Sequence, residues 1–114
     1  MRFFAPWPPR ELSPNARCHW AVKAGAVKAY RHRVCTEAIV AGARRMTGPF
    51  SVRLIFCPIG RGPNPDLDNV IASFKAGQDG LADALRVNDR ELVVTHELGD
   101  RCKSGGVIVE VIGK

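Results

Sequence analysis

The run FSVRLIFCPIGRGPNPDLDNV, Phe50 to Val70, passes from one kind of regular structure to another. FSVRLIFC is rich in β-branched and aromatic residues and reads as a strand. PIGRGPNP holds too much proline and glycine for strand or helix and reads as a loop. DLDNV then opens a helical pattern over Leu67 to Leu85, in which Val70, Phe74, Leu81 and Leu85 can face a core, while Gly77 and Gly80 are poor helix formers. A strand delivered through a loop into a helix sets the expectation for the rest of the chain.

Upstream, RFFA reads as a short strand, and the four prolines of PWPPRELSPN predict an extended loop. A long helix follows, from about Trp20 to Arg45. Val27, Tyr30, Val34, Ala38 and Ala41 form its core stripe, and TGP stops it. Downstream, ELVVTHEL and GVIVEVI read as strands joined by a hairpin around Lys103 to Gly106. The order β-α-β-α-β-β predicts an α+β fold: one domain over residues 1–114, with a mixed sheet and two helices.

Composition agrees with one modest core, since 114 residues at 46% hydrophobic content suit a single domain. No apolar run approaches the roughly 20 residues of a membrane span. MRFFAPWPPRE breaks at prolines before a signal-peptide core could form, so a cytoplasmic location is expected. Cys18, Cys35, Cys57 and Cys102 are scattered without a C-x-x-C pair, which excludes zinc-finger spacing and predicts free thiols. Charge is segregated: up to Arg61, eleven Lys and Arg oppose only Glu11 and Glu37, whereas from Gly62 onward six oppose nine acids. A basic half suits a polyanionic partner, because clustered Lys and Arg release the counterions condensed on phosphates; it equally suits a soluble basic surface.

Asp66 and Asp68 stand one residue apart at the start of the second helix. Carboxylates that close repel unless a cation or hydrogen bonds compensate. One of them can cap the helix; a cap needs only one. A third acid, Asp89 in RVNDREL, follows the helix. A short helix-to-strand connection places that turn at the helix's far end, and periodicity alone does not bring Asp89 to the other two.

WPP after the first strand, SPNARCHW leading into a basic helix, PDLDNV opening the second, KAGQDGLADAL within it and VNDREL after it together resemble the RusA family of Holliday-junction resolvases, especially phage and prophage members. The resemblance spans nearly the whole chain. It implies a small α+β homodimer that binds four-way DNA junctions and nicks paired strands with a divalent metal, usually Mg2+, with Mn2+ as a substitute. Asp66, Asp68 and Asn69 match the family's D-x-D-N. Asp89 matches a later aspartate that in many members follows another aspartate, here Asn88.

The chemistry suits these residue types independently. Magnesium prefers oxygen ligands and keeps several waters, so two or three carboxylates can hold it beside a phosphate oxygen and an attacking water. The metal polarises the phosphodiester and acidifies its water. Asp66, Asp68 and Asp89 are the candidate metal ligands and catalytic residues. Arg17, His19, Lys23, Lys28, Arg61 and Asn69 are candidate DNA contacts; for Arg17, His19 and Trp20 the alternative is simple loop anchoring, and His32 and His96 read as surface or structural. Lys75 is a candidate catalytic residue. Some family members carry a lysine four residues after the second aspartate, a place held here by Ala72, whereas Lys75 lies seven residues on, almost two helical turns, and can share a face with Asp68. Asp83 lies outside the matched acids and is expected to be silent in catalysis.

Other readings compete. D-x-D also serves glycosyltransferases, whose nucleotide-binding sheet is too large for this chain. A noncatalytic nucleic-acid-binding module and a dimeric structural protein fit the composition as well.

Overall fold

A computed structural model of the protein describes residues 1–47 and 50–113. In chain order its elements are β1 (Arg2–Ala5), α1 (Trp20–Val40), β2 (Phe50–Cys57), α2 (Leu67–Ser73), α3 (Lys75–Leu85), β3 (Leu92–Leu98) and β4 (Gly106–Gly113), with 3-10 turns at Arg10–Leu12 and Asp89–Glu91. The fold is α+β, with one mixed sheet in the order β1-β4-β2-β3. β2 runs parallel to β3, from Phe50 opposite Leu92 to Phe56 opposite Leu98, and the α2–α3 segment supplies the crossover that a parallel pair requires. β4 lies antiparallel to both β1 and β2.

The expected hairpin between the last two strands does not form. Inward-facing Val107, Val109 and Val111 are almost wholly buried, which suits β4 to a central position between two partners. β3, with Val93 and Leu98 exposed, is an edge strand. The segment between them binds the loop after β2: Gly99 N–H donates to Phe56 O (2.8 Å), Gly60 N–H to Cys102 O (2.9 Å) and Cys102 N–H to Pro58 O (3.0 Å).

The helices cover one face of the sheet. Phe50, Val52, Leu54 and Phe56 of β2 point into that core, where they meet Tyr30 and Val34 of α1 and Phe74, Leu81 and Leu85 of the crossover. The other face carries Arg53 between Glu97 and Glu110, and leaves Phe4, Val93 and Ile112 exposed.

The helices differ from the expectation in three respects. α1 ends at Val40, before Arg44 and Arg45, because Gly42 takes a left-handed conformation (φ +103°) and Ala43 N–H closes on Ala38 O. Of the proposed TGP stop, Gly48 and Pro49 lie outside the described residues. Tyr30, Val34 and Ala38 are buried as expected, but Val27 and Ala41 are exposed. The second helix is two, since the chain breaks step at Phe74, whose buried ring packs edge-on against Tyr30 and Phe56. Three α-helices therefore replace the expected two. Gly80, unfavourable by propensity, has a packing reason: a β-carbon there would fall on the Arg31 carbonyl oxygen of α1. All four cysteines are free, and among the described residues no helix is long and apolar enough to cross a membrane.

Candidate functional site

Asp66 is the N-cap of α2. Pro65 holds the approach extended, and the Asp66 carboxylate accepts the Asp68 N–H at 2.9 Å. Asp68 sits in the first turn, where a negative charge complements the helix dipole, and both side chains are exposed. The loop bringing them there is fastened from a distance. Arg101 donates to Ile59 O (2.9 Å), Asn64 Oδ1 (3.0 Å) and Gly62 O, and Gly62 turns the chain at φ +109°. Arg61 projects from this loop, exposed; Asn69 is half-buried, and its backbone carbonyl accepts the Ser73 hydroxyl.

Asp89 is brought to Lys75, and not to Asp66 and Asp68, by the turn that follows α3. Arg86 caps α3 in a left-handed conformation (φ 57°, ψ 44°), and Val87 N–H returns to Ala82 O, so the chain doubles back along α3. Asn88 caps the next turn: its Oδ1 accepts Arg90 N–H (3.1 Å), while Glu91 Oε2 accepts Asn88 N–H (2.9 Å). Asp89, the first residue of that turn, then meets Lys75, fourteen residues earlier, with Lys75 Nζ 2.7 Å from Asp89 Oδ2.

Lys75 also donates to Asp79 Oδ1 at 3.0 Å. An ammonium has three N–H donors, so one remains for a further acceptor. The hydrogen bond to Asp89 is the main cause that raises the Lys75 pKa, and the same bond lowers that of Asp89; both groups stay charged across neutral pH. Beyond them, Asp83 receives two hydrogen bonds from Arg31 of α1, at 2.6 and 2.8 Å. Arg31, Asp79, Asp83, Asn88 and Asp89 line a shallow cavity of about 340 Å³. Asp83 thus fastens α3 to α1.

The structure thus divides the candidate acids into an exposed pair, Asp66 and Asp68, and a lysine-bound Asp89. Among the described residues no three His, Cys, Asp or Glu side chains are grouped to hold a metal, so one chain by itself does not present the three-carboxylate set that the resemblance implies. Asp66 and Asp68 remain a two-carboxylate provision, and magnesium commonly uses one or two carboxylates beside substrate phosphate and water.

The basic candidates flank these acids unequally. Lys23 and Val27 of α1, with Leu12 and Pro14, form one wall of a groove whose other wall is Ala72, Ser73, Lys75, Ala76 and Asp79. Lys28, five residues after Lys23, points about 140° away around the helix. His19 caps α1, its Nδ1 accepting Ala21 N–H at 3.1 Å, and Arg17 lines a second groove with Arg10, Ser13 and Asn15. Sequence reasoning missed Asp79 and Arg101. The Lys75–Asp79 spacing of four was there to be read; nothing local marks Arg101.

Compared with known proteins, the chain matches no family model. It is 40% identical over 111 residues to an uncharacterized protein of Xylella fastidiosa, an alignment covering 94% of this chain and 72% of that protein. The two chains belong to one family. Their shared span takes in nearly all of the chain described above, the site with it.

Proposed function

We propose that this protein is an endodeoxyribonuclease that resolves four-way DNA junctions by paired nicking, in the cytoplasm, during recombination or repair, with magnesium or manganese as cofactor. The observation that carries the reading is the contact of Lys75 with Asp89 beside the groove containing Lys23. It joins two candidates fourteen residues apart in sequence, beside a groove to which Lys23 contributes a second ammonium for a phosphodiester. In this reading Lys23 and Arg17 hold the DNA backbone. Lys75, steadied by Asp79 and Asp89, offers its free N–H to a non-bridging oxygen of the scissile phosphate, where charge builds during cleavage. Asp66 and Asp68 are the residues that would hold the metal, whose chemistry when bound is to polarise the phosphate and acidify a water. A homodimer follows from paired nicking, which calls for two sites related by symmetry.

A second reading has an observation of its own: Asp66 already serves as a helix cap, which fits a noncatalytic DNA-binding module. One experiment separates the two. A labelled four-way junction and a matching duplex are incubated with the protein, with and without magnesium, alongside Asp68→Asn. Paired nicks confined to the junction with magnesium, lost by orders of magnitude in Asp68→Asn while junction binding survives, is the expected result. Binding without nicks under any metal would leave the module.

A further inference from the structure

Trp20 opens α1 with its side chain in solvent. At 76% exposure it is the most exposed aromatic among the described residues, although a tryptophan has one of the largest apolar surfaces to bury. It is not a loose side chain at a frayed end. The His19 ring lies beside it, with centroids 5.4 Å apart and planes inclined at 33°, and the cap bond from Ala21 N–H to His19 Nδ1 fixes how the imidazole faces. Arg17 and Lys23 stand three residues before and three after Trp20 in sequence, and among the described residues neither makes a salt bridge. Two open rings between unpaired cations match the chemistry of an unstacked nucleobase with its phosphates: the ring takes the base face, the cations take the backbone.

We infer that Trp20, seconded by His19, is a stacking platform for an unpaired base of the DNA, separate from the Lys75–Asp89 contact and about one helical turn from Lys23, which lines the groove beside that contact. The inference rests on the DNA-directed reading but not on cleavage. At a four-way junction the bases free to stack there are those opened at the crossover.

The test uses the full chain without metal, so that absence of nicking does not affect it. Binding of a short fluorescein-labelled oligothymidylate and of a labelled blunt duplex of equal length is measured by fluorescence anisotropy in the parent, Trp20→Phe and Trp20→Ala proteins, with tryptophan quenching of the parent and Trp20→Phe by the unlabelled strands and sedimentation of each protein. Trp7, half-buried against Phe56, provides a constant background that Trp20→Phe isolates by difference. We expect the single strand to quench the Trp20 signal more than the duplex does. Trp20→Ala should lose about 5- to 150-fold in single-strand affinity, the range of one stacked base, with Trp20→Phe retaining most of it. Trp20→Ala binding as tightly as the parent overturns the proposal. So does a loss of binding that coincides with dissociation into monomers, since Trp20 would then be a contact between copies. Junction nicking without a Trp20 effect would sink the platform and leave the nuclease; stacking without nicking would do the reverse.

Discussion

Lys75 joins two carboxylates at once, and its removal should be felt at both. Lys75→Ala is expected to lower junction cleavage at saturating magnesium by 10²- to 10³-fold, the loss typical of one charge-stabilising donor, with junction affinity held within a few-fold. The same variant should let the Asp89 carboxyl titrate closer to an ordinary aspartate, observable by NMR, because the lysine is the main cause of its depression. An unmoved Asp89 titration would show that the contact does not persist in solution. His96 gives a pH prediction of a different kind. Its Nε2 is buried without a partner and its ring stacks on Phe56, so burial lowers its pKa below the usual histidine value. A group depressed in the folded state contributes its full stability above the unfolded pKa, about 6.5, and loses it as pH falls through the folded value. Urea unfolding between pH 7.5 and 5 should show that decline, and His96→Gln should flatten it.

Among the elements, α1 and α3 approach each other so closely that glycine at position 80 is a requirement of packing. Alanine is the better helix former by about 1 kcal/mol. A β-carbon on the Arg31 carbonyl costs more, in the range of about 1–3 kcal/mol that overpacking brings, because a backbone oxygen cannot swing aside. Gly80→Ala is therefore expected to lower the melting temperature, and Asp83→Asn to lower it less, since a solvent-exposed pair contributes only ~0.2–1 kcal/mol. A Gly80→Ala protein as stable as the parent would show the helices free to separate. The strands were legible because alternation marks them: FSVRLIFC became β2 with the bounds read from sequence. Their pairing was not. Adjacency suggested a hairpin for β3 and β4, and only the competition for a central place, won by the valines of β4, sends that strand past β2. Likewise the meeting of Asp89 with Lys75 hangs on Arg86 in a left-handed conformation, which no propensity assigns to arginine.

Taken as a whole molecule, the chain separates its charges in space less cleanly than along the sequence. Arg31, Arg33 and Arg53 of the basic half are matched by carboxylates, leaving Arg17, Lys23 and Lys28 among those without one in the described residues. Each phosphate contact contributes about one unit to the salt dependence of DNA binding. Lys23→Gln should accordingly flatten the slope by about one unit, whereas Lys28→Gln, on the other side of α1, should leave it unchanged; equal effects would place DNA around the helix and not along the groove. The strand order carries a consequence for how the protein is made. β4 is the last of the four strands to leave the ribosome, yet it lies between β1, the first, and β2. Until it emerges, those two strands have no shared neighbour and each presents an unpaired edge. Completion of the sheet therefore waits for synthesis of Gly106–Gly113, and the open edges of β1 and β2 are exposed to non-native pairing in that interval.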